Sequence, residues 1–197
     1  SVELARSYGV KLHVRSAFSW VPGTWVSEEP SMENAIISAV THDTSEAKMT
    51  VSGVPDQPGV AAKLFRSLAD ADVNVDMIVQ NVSDAGATDI SFTLPHEQVS
   101  AATATVDTLV AEIGAKGVVT DTGIGRVSLT GAGMQTNPGV AATMFETLST
   151  SGINIEMIST SAIRISCVVR EDQAEQAVTV LHAAFELDKA PANRSDI

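Results

Sequence analysis

The sequence predicts an α+β protein built from two similar modules, and three observations support this fold class. A segment of 21 residues occurs twice, since residues 58–78 align without a gap on residues 138–158. Each copy begins with a Pro-Gly pair, continues as an apolar stripe at helical spacing, and ends in a β-branched, alternating stretch. The repeat distance of 80 residues suits a small domain and is too long for a solenoid repeat.

The first copy has the element order β-α-β-β-α followed by a closing strand. Its first strand is expected at 48–53. Because proline favours the first helical position, the helix is expected to begin at Pro58. One face of this helix carries the apolar side chains of Ala61, Leu64, Phe65 and Leu68. The remaining elements are two strands, a helix and a short strand, expected at 73–82, 88–94, 99–113 and 117–120.

The second copy repeats this order but lacks the closing strand. Its first strand is expected at 126–131, and Asn137 is a suitable N-cap for the helix that follows. Asp172 and Glu175 have the spacing of a capping box before the last helix. The two strands between the helices are expected at 153–159 and 162–169.

A strand-like segment, residues 35–41, precedes the first copy and has no partner within it. A sheet without its fourth strand would expose unpaired backbone groups, so we expect this segment to complete the second module. The expected fold is therefore two ferredoxin-like βαββαβ domains, the first inserted into the second. The expected domain limits are 47–122 for the first, 34–46 with 123–190 for the second, and 191–197 for a tail.

Composition and charge restrict the function classes. The net charge of −12 argues against a nucleic-acid partner, because no stripe of Lys and Arg is available to displace counterions from phosphates. The lone Cys167 excludes an internal disulfide, and its apolar neighbours indicate a buried, unreactive thiol. No apolar stretch has membrane length, so we expect no membrane contact and a cytoplasmic setting.

The sequence does not predict a catalytic, cofactor or metal site. Gly131 and Gly133 lack the third glycine of a dinucleotide-binding fingerprint, and no phosphate-binding Walker loop is present. The four histidines have no ligand spacing; they are His13, His42, His96 and His182. We therefore expect no catalytic residue, no cofactor and no metal in this chain.

The loop before the first helix of each module is the candidate binding site. A helix N-terminus presents unpaired N–H groups and the positive end of the dipole, which together bind a carboxylate or phosphate. Gly59 and Gly139 let a ligand approach the backbone closely. Asp56 is placed to receive an ammonium group, so the site suits a free amino acid. The repeat predicts two such sites.

Several segments closely resemble the paired ACT domains of aspartate kinase; they are residues 56–61, 73–83, 125–134, 153–161 and 163–166. Residues 1–33 resemble the end of that enzyme's kinase domain plus a linker, through the motifs at 11–19 and 22–24. The resemblance implies a regulatory β subunit of an α2β2 aspartokinase, or an equivalent fragment, that lacks the kinase region and is inactive alone.

The resemblance also implies threonine and lysine as feedback effectors, a homodimer, and a catalytic α subunit as partner. Each effector is expected between one module and the other module of a second copy. The implied threonine site consists of Asp56, Gly59, Ala61 and Gln80, faced by Asn154 and Ile155. The implied second site, for lysine or threonine, consists of Met134, Gly139 and Ala141, faced by Asn74, Val75, Asp76 and Ser161.

Two other functions are alternatives to a regulatory subunit of aspartate kinase. A free-standing ACT-domain sensor that regulates another enzyme or a transporter is the main alternative, and an enzyme with a ferredoxin-like fold is a distant third. The kinase-like segment within residues 1–33 favours the regulatory subunit, because a free sensor has no use for it.

Overall fold

The structure is a computed structural model that describes residues 5, 8–18, 23–26, 37–81, 86–131, 134, 137 and 139–188. The chain divides into two compact units, Ser1–Ala35 with Pro191–Ile197, and Ile36–Ala190. The described part of the smaller unit contains an antiparallel hairpin of β1 (Leu12–Val14) and β2 (Thr24–Val26), in which the rings of His13 and Trp25 stack at 4.1 Å. The tail expected at 191–197 lies outside the described residues.

The described part of the larger unit contains eight strands and four helices. In chain order they are β3 (Ala39–Asp43), β4 (Glu46–Pro55), α1 (Val60–Asp70), β5 (Ile78–Gln80), β6 (Ala87–Pro95), α2 (Val99–Ile113), β7 (Gly117–Asp121), β8 (Ile124–Thr130), α3 (Val140–Thr150), β9 (Met157–Thr160), β10 (Arg164–Arg170) and α4 (Ala174–Ala184). The first module is β4 to β7 with its two helices. The second module is β3 together with β8 to α4.

Two antiparallel four-stranded sheets confirm the predicted fold class. The strand order is β5-β6-β4-β7 in the first module and β3-β8-β10-β9 in the second. Strand β3 lies beside β8, with Ala39 opposite Thr130, in the place that β7 occupies in the first module. The segment before the first copy therefore completes the second sheet, and the first module is inserted into the second. The domain limits expected from the sequence stay predictions.

Four local expectations were wrong. The fourth strand of the second module is 39–43 rather than 35–41. Helix α1 begins at Val60, not Pro58, because Gly59 adopts a left-handed conformation that ends the loop. For the same reason Gly139 is the N-cap of α3, where Asn137 was expected. Helix α4 has Gln173 as its N-cap, so the capping box from Asp172 to Glu175 does not form there.

The strands that follow α1 and α3 are also shorter than expected. Strand β5 begins at Ile78 rather than at residue 73. The N–H of Asn74 donates to Oε1 of Gln98 at 2.7 Å, so the chain joins the sheet only after this residue. In the second module the strand begins at Met157 rather than at residue 153. Each module thus keeps an irregular segment between its first helix and its edge strand, residues 73–77 in the first module and 153–156 in the second.

The helices of each module cover one face of its sheet and bury a separate core. Phe92, Leu64 and Leu68 are fully buried in the first core, and Met144 and Leu148 are fully buried in the second. Cys167 is also fully buried, and burial raises the pKa of its thiol to about 12. The thiol is therefore inert, as the sequence predicts.

Candidate effector sites and the interface between the modules

The two Pro-Gly loops have the same backbone geometry in both modules. Gly59 has φ of 94° and Gly139 has φ of 114°, values that strain any residue with a side chain. Apart from the chain neighbours, no atom of the described residues lies within 4 Å of the position that a Cβ would take at either glycine. The N–H of the first helical residue donates to a loop carbonyl, Gln57 at 3.4 Å or Asn137 at 3.5 Å, and the next amides of the helix have no intrahelical partner. This arrangement can receive a carboxylate.

The residues predicted for the first site divide between the modules. Asp56 is exposed, and its N–H donates to the carbonyl of Gly86 at 3.1 Å, which fixes the loop beside the hairpin. Ala61 is half-buried against the first core. Gln80 is exposed at the end of the edge strand β5. The facing pair, residues 154–155, lies in the second module of the same chain, ahead of β9.

The residues predicted for the second site divide in the same way. Met134 and Ala141 pack against the second core, and Gly139 lies in the loop between them. The facing segment, residues 74–76, precedes β5 in the first module, where Val75 packs against the first core. Ser161 is exposed at the turn between β9 and β10.

Of these residues, the structure brings Asp76 and Ser161 together within one chain. Both line a cleft of about 470 Å³ between the start of β5 and the open face of the second sheet. Arg126 lies in the same cleft, and sequence analysis did not identify it. The available signal was the repeat itself, since Lys48 and Arg126 place a base at the matching point of the first strand in each module.

Arg126 joins three carboxylates from both modules. Its guanidinium contacts Glu46 at 3.0 Å and Asp43 at 3.4 Å, and it also pairs with Asp76. A hydrogen bond from Ser45 lowers the pKa of Asp43. Burial raises the pKa of Glu46, which is only 8% exposed. Its second oxygen, Oε2, has no hydrogen-bond partner among the described residues.

A second group of charges also joins the two modules. Lys48 pairs with Glu156, and Arg170 contacts the same carboxylate at 3.3 Å. Arg170 also contacts Asp121 at 2.6 Å, and the hydrogen bond it donates lowers the pKa of that carboxyl. Together the two groups link β4, β7 and the segment before β5 of the first module to β8, β10 and the segment before β9 of the second.

Two features absent from the described residues bear on function. Those residues contain no group of three or more His, Cys, Asp or Glu side chains suited to a metal ion. Within the same ranges, no helix is both long and apolar enough to cross a membrane.

Comparisons with known proteins identify the family. The ACT domain profile matches residues 49–108 and 127–185, one match in each module. An aspartokinase of Mycolicibacterium smegmatis is 51% identical over 191 residues, which cover 94% of this chain and 45% of that protein. The chain therefore spans slightly less than half the length of this curated relative.

Two solved structures give the same result. A structure of aspartokinase alpha and beta subunits is 42% identical with a TM-score of 0.72, and the match covers 77% of this chain and 99% of that one. The regulatory subunit of aspartate kinase from Thermus thermophilus is 37% identical with a TM-score of 0.72, and the match covers 76% of this chain and 99% of that one. The chain belongs to the ACT-domain family and is an ACT-domain regulatory region of the aspartate kinase type.

Proposed function

We propose that this chain binds threonine and lysine and, when they are bound, lowers the activity of an aspartate kinase catalytic region. The observation that carries the proposal is the pair of loops at Gly59 and Gly139, each with a left-handed glycine and space beside it for a ligand. Glycine adopts this conformation without strain, and because it has no Cβ it lets a ligand approach the backbone closely. Family membership supplies the class of enzyme that is regulated.

The first loop has the chemistry for threonine. The ligand's carboxylate accepts hydrogen bonds from the amides at the start of α1, and its ammonium group pairs with the exposed Asp56. Ala61 leaves room for the ligand backbone on the first helical turn, and Gln80 offers its amide from the edge strand. Residues 154–155 of a second copy close the site.

The second loop forms the equivalent site for lysine or threonine. Gly139 and Ala141 take the roles of Gly59 and Ala61, and Met134 contributes an apolar wall. The remaining contacts come from the first module of a second copy through Asn74, Val75 and Asp76, and from Ser161. A ligand shared by two chains stabilises the homodimer by mass action.

The regulated activity resides in a partner chain or region. We propose a cytoplasmic complex in which the sensor holds no ATP, metal or cofactor and transmits effector binding to the catalytic region. Such coupling between two sites commonly has a free energy of about 1–3 kcal/mol.

Calorimetric titration of the purified chain with threonine and with lysine tests the proposal. Ala61→Val places two methyl groups on the half-buried helical turn where the ligand should lie, and we expect threonine affinity to fall at least about tenfold. Ala62→Val is the matched control, because it makes the same change on the exposed side of the same turn. The corresponding pair in the second module is Ala141→Val and Ala142→Val.

A kinase assay of the reconstituted complex then tests the regulation. We expect Ala61→Val to remain active in the presence of both amino acids and Ala62→Val to be inhibited like the wild type. Equal threonine affinity for the two variants at equal thermal stability would show that the first loop is not the site. Phosphorylation of aspartate by this chain alone would contradict its non-catalytic role.

A further inference from the structure

Two ion pairs cross between the modules at positions that the internal repeat makes equivalent. Lys48 on β4 lies opposite Asp121 of β7, and Arg126 on β8 lies opposite Asp43 of β3. Both bases therefore occupy the same place in their sheets, on the first strand of the module and beside an aspartate of the fourth strand.

The acidic partners of these bases are equivalent as well. Asp76 and Glu156 are 80 positions apart, and the N–H of each donates to a carbonyl of the third strand in its own module, at 3.1 and 2.8 Å. Asp76 pairs with Arg126, and Glu156 pairs with Lys48. The first strand of each module is thus held by an acid of the other module.

Each acidic residue also follows directly, in sequence, a segment that is proposed to line an effector site. Residues 74–75 precede Asp76, and residues 154–155 precede Glu156. These segments are irregular, lying between a helix and an edge strand, so their backbone is less constrained than a strand would be. A ligand that fixes residues 74–76 therefore acts on the Arg126 pair through the backbone itself.

The two pairs differ in how easily they separate. The side chains of Lys48 and Glu156 are 19% and 18% exposed, and Glu156 is also held by Arg170. Asp76 is 57% exposed, whereas Arg126 is 15% exposed. Water can therefore solvate the Asp76 carboxylate in place of Arg126. When this pair separates, Arg126 still contacts Asp43 and Glu46.

The apolar contact between the modules permits such a rearrangement. Its four buried side chains are Met77, Ile124, Met157 and Val168, and the partly buried Val79 packs against them. Methionine side chains are unbranched and flexible, so two of the four can repack without opening a cavity.

We propose that the Arg126–Asp76 pair is the switch by which effector binding changes the arrangement of the two modules, while the Lys48–Glu156 pair stays closed as the hinge. This rests on the proposed function, because the ligand that opens the switch is the amino acid at the second effector site. Its ammonium group competes with Arg126 for the Asp76 carboxylate.

Distance measurement between spin labels on the two modules tests this proposal. Ala104→Cys on α2 and Glu175→Cys on α4 provide exposed label positions, whereas the buried Cys167 stays unlabelled. Dilution with unlabelled chain restricts the signal to pairs within one chain. We expect threonine plus lysine to shift the distance distribution of the otherwise unaltered protein.

In the ligand-free state, Asp76→Asn should give the distribution that the unaltered protein shows with both amino acids bound, because its ion pair is already broken. Glu112→Gln, which breaks the exposed pair with Lys63 inside the first module, should leave the distribution unchanged. Arg126→Gln provides a second test that leaves the effector residues intact. Because it also removes the contacts with Glu46 and Asp43, it should shift the distribution in the same direction as Asp76→Asn and at least as far.

Calorimetry on the same samples separates the two levels of the proposal. If threonine and lysine bind but the distances stay constant, or if Asp76→Asn behaves like Glu112→Gln, the switch is wrong and the proposed function stands. If neither amino acid binds, both are wrong.

Discussion

The two modules share one fold but fill their cores differently. Phe92 in the first sheet corresponds to Cys167 in the second, since they lie opposite Met49 and Val127 at the same point of the first strand. Phe92 packs edge-to-face on Phe65, with ring centroids 5.6 Å apart. The second module has only the small thiol at this position. A shared backbone topology therefore does not require shared packing.

The helix that packs on this position differs less between the modules. Leu64 of α1 corresponds to Met144 of α3, and both are fully buried. Methionine adapts to irregular gaps better than leucine does, and the rings of Phe145 and Phe185 also pack against the second core. The comparison indicates that the repeat preserves the apolar pattern of each core, while the individual side chains differ.

The interface between the modules differs in a second way. Glu46 begins β4, and the matching position at the start of β8 is Ile124, which is fully buried. One half of the interface thus contains a buried carboxylate where the other has an apolar side chain. Because an apolar residue fits this position, the carboxylate is not required by the fold.

The largest effect is expected from breaking the aromatic core. Phe92→Ala should lower the free energy of unfolding by about 3–5 kcal/mol, because the ring leaves a cavity beside Phe65. Cys167→Ala should lower it by only about 1 kcal/mol, since little volume is lost. Urea denaturation of both variants measures the difference. Equal losses would mean that the two cores carry equal packing energy despite their composition.

The next largest effect is expected on ligand binding at the two loops, which differ in charge. Only the first loop has an acidic residue, Asp56, near its start. Asp56→Asn should weaken threonine binding about tenfold, as the ammonium group loses its charged partner. Lysine affinity should stay unchanged if it binds at the second loop. The matched control is Asp107→Asn, an exposed carboxylate on α2. Calorimetry that finds equal threonine affinity for both variants would contradict the role of Asp56.

The sequence predicts the fold well because the internal repeat allows each module to be checked against the other. Two independent copies of the helix–strand pattern indicate the same elements, and the strand missing from one copy locates β3 by elimination. The strand ends were less predictable. The N–H of Asn74 is bound by Gln98, a contact 24 residues apart in sequence that no local pattern reveals.

The interface charges were not predicted for a similar reason. Lys48 and Arg126 look like ordinary polar residues of an alternating strand. Their partners Glu156 and Asp76 are 108 and 50 positions away, so the pairs appear only when the modules are placed together. For the same reason the sequence analysis placed Asp76 only in the second effector site and did not predict its ion pair with Arg126 of the same chain.

A smaller effect is expected at the buried carboxylate. The pKa of Glu46 is raised in the folded state, so between its ordinary and raised values the folded protein binds more protons than the unfolded chain. Stability therefore falls as pH rises through that window. Glu46→Gln removes the buried negative charge that causes this fall in stability. It should therefore raise the free energy of unfolding by about 1 kcal/mol near neutral pH.

The gain from Glu46→Gln should shrink when the same denaturation is repeated at about pH 4, where the carboxyl of the unaltered protein is largely protonated. Ser45→Ala offers a control at the adjacent position, since it acts on Asp43 instead. A gain that is independent of pH would assign the effect to packing and not to charge.

The smallest effect is expected where the chain leaves the first helix of each module. Asp72 has φ of 57°, and the matching Gly152 has φ of 73°. A residue with a side chain pays about 1 kcal/mol in this left-handed region, although aspartate tolerates it better than most. Because a Cβ at residue 152 would meet no atom within 4 Å, Gly152→Asp should destabilise through the backbone alone, by about 0.5–1 kcal/mol.

Asp72→Gly makes the reverse change and should alter the free energy of unfolding by less than about 0.5 kcal/mol. The relief of backbone strain is offset by the larger conformational entropy that glycine gives the unfolded chain. The same urea denaturation measures both variants. If Asp72→Gly destabilised the protein as much as Gly152→Asp, the side chain of Asp72 would have to make a stabilising contact that outweighs its strained backbone, and the two helix ends would not be equivalent.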